Sequence, residues 1–128
     1  MMKKILLIDD QAHVLRVIKL SLDRNGYEVD TALTGEIALR MMSEHRYDVL
    51  ITDLSMPTMT GPQLCEAVHR DFDDRLPLMF IVADHIDETL VDWARGFPLV
   101  EFLEKPMSLR WLVARLNEYF GCYEKTGT

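Results

Sequence analysis

The chain has 128 residues, the size of one domain, and at 48% hydrophobic and 27% charged it can bury an ordinary core. A net charge of -7 argues against a direct nucleic-acid partner, because binding phosphate backbones needs a basic surface. No apolar run approaches the roughly 20 residues of a membrane span, and too few apolar residues follow Met1-Met2-Lys3-Lys4 for a signal-peptide core, so a cytoplasmic protein is expected.

Five strand-like segments are predicted, near 4–9, 27–31, 47–53, 77–82 and 99–103, each followed by a helix-like segment. The first, Ile5-Leu6-Leu7-Ile8, runs into Asp9-Asp10. Residues 11–25 then carry Val14, Leu15, Ile18 and Leu22 at helical spacing, stopped by Asn25-Gly26. After the second strand, Thr34-Gly35 opens a helix with Ala38, Met41 and Met42 on one face. The third strand, Val49-Leu50-Ile51-Thr52, ends in Asp53. A turn-forming loop from Met56-Pro57 to Thr60-Gly61 follows, its glycine expected to need positive φ, and Gly61-Pro62 opens a third helix with Leu64 and Val68. The fourth helix is predicted from Asp84 to Arg95, with Ile86, Leu90 and Ala94 inward and Gly96 after it. The last strand, Phe102-Leu103-Glu104, closes on Lys105-Pro106. Ser108 caps a fifth helix whose stripe is Leu109, Leu112, Val113, Leu116 and Phe120. One domain over 1–121 is expected, with a frayed tail over 122–128.

Short continuous apolar runs bounded by turn signals read as strands buried on both faces. Strict strand–helix alternation then gives a doubly wound five-stranded parallel sheet with helices on both faces. Ligands of such sheets sit outside the carboxyl ends of the strands, which is where Asp9, Asp10, Asp53 and Lys105 fall. Carboxylates packed together repel unless a cation joins them. Oxygen-only ligands beside a lysine suit Mg2+ and a phosphoryl group. Taken singly, the acidic pair also reads as a helix cap, Asp53 as a loop cap and Lys105 as a solvated charge. The conjunction argues against those readings. Cys65 and Cys122 lack zinc-type spacing and read as thiols in a reducing compartment. His13, His45, His69 and His85 share no metal spacing.

The stretches ILLIDDQAHV, DVLITDLSMPTMTG with Leu64, and EFLEKPMS resemble the receiver domain of two-component response regulators, over about residues 3–121. The resemblance implies a flavodoxin-like (βα)5 fold with strand order 2-1-3-4-5. It implies that Asp53 is the phosphoacceptor, attacking a phosphohistidine on a sensor histidine kinase or a histidine phosphotransfer protein. Asp10 would ligate Mg2+ directly, Asp9 through water, and the Ser55 backbone carbonyl would complete the set with Asp53. Lys105 would pair with the phosphoryl oxygens, and Pro106 would follow a cis peptide. A signalling switch rather than an enzyme is expected. It would signal to an output domain or protein, or form a homodimer, through the face built by the fourth helix, fifth strand and fifth helix.

The sequence departs from the family in three places. The fourth strand ordinarily ends in threonine or serine before a small residue. Here Val82 precedes Ala83, so the donor to a phosphoryl oxygen is missing. A hydrogen bond to a charged group is worth roughly 1.5–3 kcal/mol, so its loss should weaken the phosphorylated form about 10- to 150-fold. The aromatic switch position falls on Phe102, which has no hydroxyl, so any coupling to Val82 is expected to be steric. Gly96-Phe97-Pro98-Leu99 replaces the usual gly-ala turn and points to an unusual partner set. Ser55, Ala83 and Asp84 flank the site, where the family tunes phosphoryl lifetime. Trp93 and Trp111 sit on helices, at least one of them expected to be partly exposed on the output face.

Three alternatives stand beside this reading. A pseudo-receiver interaction module would not switch by phosphorylation, as Val82 favours. A haloacid-dehalogenase-type phosphatase would want a second acid where Ser55 stands. A flavodoxin-like carrier would place phosphate against Asp9-Asp10.

Overall fold

The computed structural model describes residues 2–121, and Cys122 and the expected tail lie outside them. Ten elements alternate: β1 (Lys4–Ile8), α1 (Ala12–Arg24), β2 (Glu28–Ala32), α2 (Gly35–Glu44), β3 (Val49–Asp53), α3 (Gly61–Asp71), β4 (Leu78–Ala83), α4 (Glu88–Ala94), β5 (Val100–Glu104) and α5 (Leu109–Phe120). The strands form one parallel sheet in the order β2-β1-β3-β4-β5. Every residue of β3 and β4 is buried, as the unbroken apolar runs require of strands covered on both faces.

The pleat sorts the core into two layers. Ile5, Leu7, Val49, Ile51, Phe80, Val82 and Leu103 face α1 and α5, where Leu15, Leu22, Leu112 and Leu116 meet them. Leu6, Ile8, Leu50, Met79 and Ile81 face the other side, against Ala38, Met42, Leu64 and Val68. The helix ends follow local chemistry. Thr34 and Ser108 each accept a backbone N–H three residues on, and Thr60 forms a reciprocal capping box with Gln63 ahead of Pro62.

Two expectations are corrected. The fourth helix starts at Glu88, not Asp84. Asp87 caps it by accepting from the Leu90 N–H, so Asp84 to Ile86 form a loop. No residue of α4 is buried, which makes it the most loosely seated helix. Gly61 does not need positive φ; in that loop Thr58 takes it, at 65°. Glycine is required at 61 because a Cβ there would stand 2.7 Å from the Asp53 backbone oxygen.

Candidate functional site

The site lies at the carboxyl edge of β1, β3 and β4, with the segment after β5 folded across it. Backbone hydrogen bonds fix each corner. The Leu54 N–H donates to the Val82 oxygen at 2.8 Å, and the Gly61 N–H to the Leu54 oxygen at 2.9 Å. Lys105 is held by its own N–H, which donates to the Ala83 oxygen at 2.8 Å, and the Lys105-Pro106 bond is cis as expected.

Asp53 is buried, at 8% exposure, in a chain where almost every other acid is at the surface. The Ser55 N–H donates to its Oδ2 at 3.1 Å. Lys105 Nζ stands 2.7 Å from its Oδ1 as an ion pair, and Oδ1 has no aligned hydrogen bond besides. The contact with Asp53 raises the Lys105 pKa against the opposing effect of burial, and Asp84 and Asp9 add to the rise. Asp9 is half-buried and accepts from the Gln11 N–H at 2.9 Å. Its pKa is raised, first by burial and then by the charges on Asp53 and Asp10, with the Gln11 N–H pulling the other way.

The predicted residues are thus brought together unequally. Asp9, Asp53 and Lys105 share one electrostatic cluster, with Asp84 acting from the exposed loop. Asp10 and Ser55 have exposed side chains. No three acidic, histidine or cysteine side chains are gathered closely enough to hold a metal among the described residues. The donor chemistry nonetheless fits a hard divalent cation. All the ligands are oxygen, Asp53 Oδ1 is buried without an aligned donor, and the mutual repulsion at Asp9 is what a cation would relieve.

Val82 lies beside Asp53 in the sheet register and is 9% exposed. It faces the α1–α5 layer together with Leu103, its neighbour on β5. Phe102 packs into the opposite layer. The expected steric competition between Val82 and Phe102 therefore has no direct contact to run through.

One feature of the site was not expected. A cavity of about 410 Å³ opens beside Asp9, Asp53 and Lys105, walled by Val14, Val17 and Met107 among others. Its sequence signal is Val17, an apolar residue outside the inward stripe of α1 and 60% exposed.

The model of the response regulator receiver domain family matches residues 5–117. The transcriptional regulatory protein CrdR of Helicobacter pylori is 32% identical over 121 residues, which cover 94% of this chain and 56% of that protein. The response regulator MprA of Mycobacterium ulcerans is 34% identical over 115 residues, covering 89% of this chain and 48% of MprA. The chain therefore spans about half the length of the curated relatives it matches. Among solved structures, the chemotaxis protein CheY4 of Vibrio cholerae superposes with a TM-score of 0.84 at 27% identity, covering 92% of this chain and 98% of CheY4. A receiver domain from Clostridium thermocellum gives 0.82 at 30% identity, covering 94% and 95%. The chain belongs to the response regulator receiver domain family, whose members are signalling domains of two-component systems.

Proposed function

We propose that Asp53 accepts a phosphoryl group from a phosphohistidine on a sensor histidine kinase or a histidine phosphotransfer protein. The observation that carries this reading is the buried Asp53 carboxylate with Lys105 Nζ at 2.7 Å. An Asp53 oxygen attacks phosphorus, the P–O bond forms and the P–N bond breaks, leaving the imidazole on the donor. Such a transfer asks mainly for in-line positioning and neutralisation of the equatorial oxygens. The Ser55 N–H orients the nucleophile through Oδ2. The Lys105 ammonium leaves Oδ1 and pairs with the incoming phosphoryl oxygens. Asp9, Asp10, Asp53 and the Ser55 carbonyl would hold Mg2+, which when bound supplies the remaining positive charge.

Output would pass through the α4–β5–α5 face, to an output domain, a partner protein or a second copy. Three observations support this. That face exposes Val91, Leu99 and Trp111 at 38%, 39% and 48%, α4 has no buried residue, and Leu99 sits at φ 67° in the loop that departs from the family. Ser55, Ala83 and Asp84, next to Asp53 and at the end of β4, would set the lifetime of the phosphoryl group. The pseudo-receiver alternative rests on Val82 alone, while the acid and the lysine it would have discarded are in contact. The test is borohydride reduction of the phosphorylated protein, which converts an acyl phosphate on aspartate to homoserine. Peptide mapping should find homoserine at position 53. Homoserine elsewhere, or none from a phosphorylated sample, would defeat the assignment.

A further inference from the structure

Two buried side-chain polar atoms among the described residues have no hydrogen-bond partner, Asp53 Oδ1 and Arg75 Nε. Buried polar groups are nearly always satisfied, and an orphan calls for a specific reason, such as a missing ion. Asp53 Oδ1 belongs to the phosphoryl site and has its ion pair with Lys105. Arg75 lies at the other end of the sheet, just ahead of β4, and has no such pairing among the described residues.

Arg75 lines a cavity of about 300 Å³ with Arg46, Tyr47, Asp48, Tyr119 and Phe120. Its guanidinium lies 5.3 Å from the centroid of the Phe72 ring, and because Nε is shielded from solvent, the terminal nitrogens are the donors left for another group. Arg46, like Arg16, Arg24, Arg40 and Arg110, has no ion pair among the described residues, and it is the second arginine lining this cavity. The other polar groups of the cavity are partly committed. The Lys4 N–H donates to Asp48 Oδ2 at 2.8 Å, and the Tyr47 hydroxyl bonds Asp30 at 2.6 Å. Asp48 opposes an anion, but two guanidinium charges face its one. Guanidinium donors match the paired oxygens of carboxylate and phosphate.

We propose that this cavity binds a small oxyanion, a carboxylate or a phosphate group, between Arg75 and Arg46. It is a second site, at the edge of the sheet opposite Asp53, and it does not depend on phosphoryl transfer there. The test is NMR titration of the whole chain in EDTA with inorganic phosphate and, separately, with acetate, each against chloride at matched ionic strength. Saturable shifts at the Arg75 side-chain Nε–H and the amides of Tyr47, Asp48 and Tyr119 are expected. Arg75→Gln and Arg46→Gln should each raise the apparent Kd about tenfold or more, the effect of losing a charge-assisted hydrogen bond. Response to both anions supports a general oxyanion site, and response to phosphate or acetate alone narrows its class. Shifts that fail to saturate, that chloride reproduces, or that fall only along the Asp53–Lys105 edge overturn the proposal. The wild-type map decides by itself if either variant fails to fold.

Discussion

Replacing Val82 with threonine probes the main chemical departure of this site. The side chain is 9% exposed and projects from β4 beside Asp53 on β3, with the two backbones in register. Adjacent strands lie about 4.8 Å apart, so a hydroxyl at 82 falls within reach of a group carried on Asp53. Threonine nearly reproduces the volume of valine, so the layer with Leu103 stays packed. In the unmodified protein the buried hydroxyl should cost about 1–3 kcal/mol where it finds no acceptor. With a charged phosphoryl group present it gains a hydrogen bond worth about 1.5–3 kcal/mol, or roughly 10- to 150-fold in affinity. The assay is titration with fluoroberyllate and Mg2+, a tetrahedral mimic of phosphoryl-aspartate, alongside urea unfolding. The Val82→Thr protein should unfold at lower urea with an unchanged m-value and bind the mimic at least tenfold more tightly. A folded variant that binds within about twofold of the wild type would refute the argument that Val82 weakens the phosphorylated state.

Further predictions address the acids, the loop and the output face. Asp9→Asn keeps an oxygen for the Gln11 N–H and removes a charge whose pKa is raised from 3.8 by burial and by Asp53 and Asp10. The raised pKa means that Asp9 favours folding fully only below 3.8, and this contribution is lost as pH rises through the native value. The variant should therefore melt higher than wild type at neutral pH without Mg2+, with the gain vanishing on acidification. An unchanged melting temperature by calorimetry would contradict it. Lys105 has a raised pKa, so its contribution is full below 10.5 and is lost as pH rises through the native value. Lys105→Met should flatten the alkaline end of the stability profile followed by circular dichroism. Gly61→Ala drives a Cβ to 2.7 Å from the Asp53 oxygen, backbone that cannot yield as a side-chain tip would. It should cost about 1–3 kcal/mol in denaturant titrations and slow phosphorylation, because the strain falls on the nucleophile. Chemical-shift mapping of the phosphorylated protein should place the largest remote changes on α4 and on Phe97 to Phe102. A response confined to α1 and α2 would oppose the proposed output face.

The sheet was legible because its central strands are buried on both faces, which leaves unbroken apolar runs, two of them ending in Asp9 and Asp53; the partly buried edge strand β5 was marked by the Lys105-Pro106 pair that follows it. The pairing of those ends follows from parallel topology alone. Four features were not legible, each for a physical reason. Ile86 continues the apparent stripe of α4, but the Asp87 side chain caps the helix and ends the loop there. The relation of Val82 to Phe102 depends on strand register, which pairs Val82 with Leu103 and sends Phe102 to the far layer. Gly61 was expected to serve backbone freedom, whereas it serves the close approach of the Asp53 carbonyl, a contact between loop and strand end. The cavity between Arg46 and Arg75 joins residues far apart in sequence, neither within a motif.

The central claim is that Asp53 takes up a phosphoryl group, and intact-protein mass spectrometry after incubation with a small phosphodonor tests it most directly. Wild type with Mg2+ should gain the mass of one phosphoryl group, and the gain should be absent in Asp53→Asn and in EDTA. No gain in wild type, with Mg2+ binding confirmed separately and a histidine kinase also tried as donor, would contradict the account.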